Sequence, residues 1–89
     1  MIYVLRDGFT MSEIKTKDFG EIKAYMEHRA KTWELVSNIS GITRMMALNS
    51  KYQMLALLDE IEDELENGST LLAGEYQVMF VNQLEIIDD

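Results

Sequence analysis

The chain has 89 residues, 47% of them apolar and 27% charged, with no cysteine, no proline and a net charge of −8. This is the size and composition of one globular domain, residues 1–89, and the missing cysteine excludes disulfides and thiolate metal sites. The charge is unevenly laid out. Residues 1–51 hold all eight Lys and Arg against six acids (+2), whereas residues 52–89 hold ten acids and no base (−10), which argues against direct nucleic-acid binding.

At the N-terminus, IYVL (2–5) is a short β-branched-rich apolar run and reads as a strand. Asp7-Gly8 follows, a dipeptide favoured in two-residue hairpin turns, so residues 9–14 read as the return strand. Thr10-Met11-Ser12-Glu13 also fits a helix-capping box, and a helix starting here is the competing reading. The opening MIYVLRDGF lacks a basic region followed by a long apolar run and is not read as a signal peptide.

Asp18-Phe19-Gly20-Glu21 has the pattern of a helix start, with an Asp cap and a Glu three residues on. From there Phe19, Ile22, Met26, Ala30 and Trp33 recur at three- and four-residue spacing, the apolar stripe of one long helix that ends near Ser40-Gly41. Arg29, beside this stripe, is expected to carry its head group out to water, and His28 is expected on the solvent side.

Residues 42–48 read as a short helical turn. Ser50-Lys51-Tyr52-Gln53 then supplies a second capping box, and Met54, Leu57, Leu58, Ile61 and Leu65 follow as the second apolar stripe. Met45 and Met46 fall beside the expected helix break and outside either stripe, which marks them as contact candidates. Asn67-Gly68 is a stop signal, and residues 75–87 alternate as a β-rich tail, with a bulge or turn at Asn82-Gln83. The order points to an α+β fold: a small antiparallel sheet, made of an N-terminal strand or hairpin and a C-terminal strand, with two main helices on one face.

The most unusual stretch is DEIEDELE, residues 59–66, with six acids in eight residues. Asp59–Asp63, Glu60–Glu64 and Glu62–Glu66 are like-charge pairs four apart, each costing about 0.2–0.5 kcal/mol. They also sit toward a helix C-terminus, where the macrodipole disfavours negative charge. A helix face needing only solubility is better served by mixed charges. Asp59, Glu60, Glu62, Asp63, Glu64 and Glu66, with Met45 and Met46, are therefore the candidate partner-binding residues, and Asp88 and Asp89 extend the acidic stretch.

No Gly-rich phosphate loop, nucleophile–base pair or metal-ligand spacing is legible, so no catalytic, cofactor-binding or metal-binding residue is assigned. The longest apolar runs, such as MLALL at 54–58, fall far short of the ~20 residues that span a bilayer, and no membrane contact is expected. The expectation is a cytoplasmic, non-enzymatic interaction protein. It would bind and inhibit or regulate a larger protein through a basic, nucleic-acid-binding type of surface, in the manner of small phage or mobile-element proteins. The alternative is a structural or ligand-holding homo-oligomer, a homodimer at its simplest, in which the basic N-terminal half packs on a neighbour's acidic helix.

Overall fold

The computed structural model describes the backbone of residues 1–37, 41–68, 73–79 and 81–88; the side chains of 33–34, 36–37, 41–47 and 50 are outside that description. Two hairpins flank two helices: β1 (Ile2–Asp7), β2 (Ser12–Thr16), α1 (Phe19–Ser37), α2 (Gly41–Glu66), β3 (Gly74–Met79) and β4 (Asn82–Ile87). The four strands form one antiparallel sheet in the order β2-β1-β4-β3, so the first and last strands pair at its centre. The architecture is α+β, as the sequence pattern indicates.

Side chains alternate across a strand. Tyr3 and Leu5 of β1 and Leu84 and Ile86 of β4 face the helices, and all four are buried. They meet Phe19, Ile22, Met26 and Ala30 of α1 and Met54, Leu58 and Ile61 of α2 in one core, with the Tyr3 and Phe19 rings edge-to-face at 5.3 Å. The opposite sheet face is mostly polar. Arg6 spans it, reaching Glu13 on β2 at 3.5 Å and Glu85 on β4 at 3.0 Å, while Val4 is buried there between its strand neighbours Lys15 and Glu85.

The first hairpin forms, and no helix starts at Thr10. Its loop is longer than Asp7-Gly8 suggests: Asp7 pairs with Ser12, leaving residues 8–11 as the connection, and β2 begins at Ser12 rather than at residue 9. Gly8 has a local reason to be glycine. Its N–H donates to the Val81 carbonyl at 2.7 Å, and a Cβ on Gly8 would meet that same oxygen at 2.7 Å. This contact ties the turn of the first hairpin to the turn of the second.

α1 starts at Phe19, with the Asp18 carboxylate accepting the Gly20 N–H at 2.9 Å. α2 departs from the expectation: it runs unbroken over 26 residues, so Ser50 lies within the helix and not at its start, and no break flanks Met45 and Met46. A helix of that length is about 39 Å long, against about 20 Å for a six-residue strand. Only part of α2 can lie over the sheet, and its buried side chains among the described residues fall between Met54 and Ile61. It ends as expected at Asn67-Gly68, with Gly68 at φ 73° and its N–H on the Leu65 carbonyl.

The tail forms two strands, β3 and β4. The chain reverses between Met79 and Asn82, two residues earlier than the expected turn, and a register shift between Gln77 and Met79 brings both Val78 and Met79 into the core. Among the described residues no helix is long and apolar enough to cross a membrane.

Leu58, 0% exposed, and Tyr52, 64% exposed, sit on opposite sides of α2. Leu58→Ala is expected to cost about 2–5 kcal/mol in urea unfolding, and Tyr52→Ala less than about 0.5 kcal/mol.

Candidate functional site

α1 and α2 run antiparallel, so the start of α1 lies beside the acidic end of α2. Lys23 Nζ reaches Asp59 Oδ1 at 3.2 Å and a Glu62 carboxylate oxygen at 3.3 Å. Hydrogen bonds to Asp59 and then Glu62 raise the Lys23 pKa above the usual lysine value. Among the described residues, the acidic run therefore meets a compensating base drawn from the other half of the chain. The antiparallel packing also sets the positive end of the α1 dipole near the negative end of α2.

The six acids do not form one uniform face. At about 100° per residue, Met54, Leu58 and Ile61 define the side of α2 toward the sheet, and all three are buried. Asp59 and Glu62 lie on the flank facing α1, where Lys23 holds them. Glu60 and Glu64 project from the opposite flank, Asp63 lies on the outer ridge, and Glu66 falls in angle between Glu62 and Asp59 at the end of the helix. Glu60, Asp63, Glu64 and Glu66 are all exposed, and no ion pair engages them among the described residues.

The flank bearing Glu60 and Glu64 overhangs β3. α1 packs over β1 and β2, and α2 packs over β3, which is an edge strand. Between α2 and β3 lies an open groove of about 330 Å³, lined by Leu57, Glu60, Ile61, Asp63, Glu64 and Tyr76. Its floor is apolar and its rim carries carboxylates. The candidate contact residues Met45 and Met46 have side chains outside the described residues.

A second polar assembly was not legible from sequence. Asp7, 2% exposed, accepts the Tyr25 hydroxyl at 2.6 Å on Oδ2 and the Phe9 and Thr10 amides at 2.9 and 3.3 Å on Oδ1. Arg29 Nε lies 2.9 Å from the same Oδ2, yet its N–H does not align with it, so the contact is Coulombic more than a formed hydrogen bond. Arg29 is 8% exposed and its guanidinium stacks 5.2 Å from the Phe9 ring centroid. It does not reach out to water as the sequence suggested: the Asp7 charge holds it inside. Asn82, the strand neighbour of Asp7, is fully buried with neither amide atom hydrogen-bonded.

Burial alone would raise the Asp7 pKa. The hydrogen bonds from Tyr25, Phe9 and Thr10, together with the Arg29 charge, outweigh it and hold the carboxyl below its ordinary value of 3.8. Burial, then the bond to Asp7, raises Tyr25. With both carboxylate oxygens already engaged, Asp7 shapes the first hairpin's loop and presents no open base. The period-two alternation of β1 was the available signal: it places Asp7 on the same inward face as Tyr3 and Leu5. His28 is exposed as expected, and among the described residues no group of three or more His, Asp or Glu side chains gathers in a metal-binding arrangement.

Compared with known protein families, with curated proteins and with solved structures, the chain gives no match.

The Asp7 cluster predicts an acid limb in stability. A carboxyl with a folded pKa below its unfolded one contributes fully above the unfolded value, and the contribution fades as pH falls through the folded value. Urea unfolding followed from pH 7 to pH 2 should lose stability progressively below about pH 4. Asp7→Asn should be less stable at neutral pH by about 3–5 kcal/mol, because it leaves the buried Arg29 charge uncompensated. It should also flatten the acid limb.

Proposed function

We propose that the chain is a small non-enzymatic protein that docks on a basic surface of a larger protein and regulates it, with the outer carboxylates of α2 as the docking element. The observation that supports this reading is the set of four exposed acids, Glu60, Asp63, Glu64 and Glu66, on a helix anchored by Met54, Leu58 and Ile61. Four carboxylates fixed on one rigid helix raise the local potential and steer a cationic partner, which gives on-rate and strong salt dependence. A nucleic-acid-binding protein is the partner class with the matching surface, since its Lys and Arg are arranged to meet a row of phosphates.

The energetics agree with a retained binding surface. The acids are held at some cost to helix stability, and only Asp59 and Glu62 are relieved by a base among the described residues. Replacing Glu60, Glu64 and Glu66 by Gln and Asp63 by Asn removes three like-charge pairs. The quadruple variant is expected to be as stable as the wild type or more so, by up to about 1.5 kcal/mol. Loss of binding in that variant would then reflect the surface and not the fold.

The test is capture from lysate with wild type and variant side by side, with light scattering on both. The expected result is a basic protein retained by the wild type and released as salt approaches about 1 M, where the screening length falls to about 3 Å. The variant should retain at least tenfold less, within the range of interface charge deletions. Equal capture by both would overturn the proposal, and a concentration-dependent dimer lost in the variant would replace the partner with a second copy.

A further inference from the structure

We propose that Asn67-Gly68, at the end of α2, is a site of spontaneous deamidation, where water converts Asn67 to aspartate and isoaspartate each time the last turn of the helix opens.

The chemistry needs this dipeptide and water, and no partner. The Gly68 amide nitrogen, stripped of its proton by hydroxide, attacks Asn67 Cγ. The new N–Cγ bond closes a five-membered succinimide. The Cγ–Nδ2 bond breaks and releases ammonia, which takes its proton from water. Water then opens the ring. Cleavage between the nitrogen and Cγ gives aspartate, and cleavage between the nitrogen and the Asn67 main-chain carbonyl carbon gives isoaspartate. In sum, an amide and a water become a carboxylic acid and ammonia, with no change of oxidation state. A side chain on the attacking residue crowds the ring closure. Gly68 has none, and among the described residues nothing lies within 4 Å of where its Cβ would stand. Asn67 itself is exposed.

The fold sets the rate. The Asn67 N–H donates to the Asp63 carbonyl and the Gly68 N–H to the Leu65 carbonyl, each at 3.1 Å. These bonds hold the nitrogen in the turn, and it reaches Cγ only when they open. Helix ends lie at the low end of local stability, and this end is weak for three reasons. The last buried residue of α2 is Ile61, more than one turn before Asn67. Asp63, Glu64 and Glu66 set negative charge against the negative end of the macrodipole. No base lies in the last turn. Conversion adds a carboxylate next to Glu66, where the dipole disfavours it, so the product opens more readily than the parent. Asn49 and Asn82 are internal controls. Asn49 is also exposed but lies inside α2 with Ser50 after it, and Asn82 is fully buried with Gln83 after it.

The test incubates the whole chain at neutral and at mildly alkaline pH. Peptide mapping by mass spectrometry reads conversion at each asparagine, and labelling by an isoaspartyl methyltransferase reads isoaspartate. Conversion at Asn67 is expected to be at least about tenfold faster than at Asn49 or Asn82 in the folded chain. It should be faster at the higher pH, and faster still in urea. Glu64→Lys relieves the Glu60–Glu64 pair and sets a cation at the helix end, so it should slow conversion about two- to fivefold in the folded chain and not in urea. Exchange of the Gly68 amide, followed by NMR, should slow by the same factor. A lysine acting directly on the amide would stabilise its anion and speed the reaction, so the direction of the change separates the two effects.

No preference for Asn67 in the folded chain would overturn the site. Equal rates in the folded chain and in urea would overturn control by the last turn. A Glu64→Lys variant that converts as fast as the wild type, or faster, would overturn it too.

Discussion

The pairing of β1 with β4 is the constraint on which the rest of the structure depends. It joins Ile2 to Ile87 and Asp7 to Asn82 across nearly the whole chain. Each hairpin is local and inexpensive to close, whereas this seam carries the closure entropy of everything between. The two helices repay that entropy by laying Ile22, Met26, Met54 and Leu58 over Leu5 and Leu84, the two facing residues at the middle of the seam. Without the seam each hairpin is a two-stranded ribbon, which is marginal in water. Its far end is held in a second way. Asp7 gathers Tyr25, Arg29 and two loop amides, and Gly8 donates to Val81, so the turns of both hairpins are fixed to each other and to α1.

What the sequence made legible follows from the range of the interactions involved. The cap at Asp18 and the stop at Gly68 are contacts within a few residues, and both occur where local chemistry places them. The stripes from Phe19 to Ala30 and from Met54 to Ile61 are long periodic patterns, and they face the core. Ser50 misled because a capping box is a short pattern. The surrounding Met45-Met46-Ala47-Leu48 are strong helix formers, and propagating an existing helix is easier than nucleating a new one. The turn in the tail was expected two residues too late because Phe80-Val81 continues the apolar run with none of the residues that usually mark a turn. Asp7 was read as a turn residue because its partners, Tyr25 and Arg29, come from another element and no spacing rule connects them. On the acidic site, the sequence exposed the carboxylates and the strain among them. Their division into a flank held by Lys23 and a flank over β3 needed the fold.

That division changes how the charge on α2 should be understood. In an isolated helix, six acids near the C-terminus oppose both one another and the macrodipole. Here the unfavourable terms are met by tertiary structure: Lys23 sits between Asp59 and Glu62, the start of α1 lies alongside, and the opposite face of the helix is buried. Local electrostatics alone would shorten or fray this end of α2, and tertiary packing keeps it helical to Glu66. The outcome is a row of carboxylates with little conformational freedom left to lose on binding, which is the condition under which charges on a surface contribute most to association.

The two edges of the sheet bear differently on self-association. An unpaired edge invites pairing with other strands, and proteins commonly blunt it with charge. β2 is short and carries Glu13 and Lys15 on its outward face. β3 carries Glu75 and lies beneath the Glu60 and Glu64 flank, with no base on the strand. Two β3 edges brought together would oppose one set of carboxylates with another, which disfavours the symmetric dimer that pairing of identical edges would otherwise make.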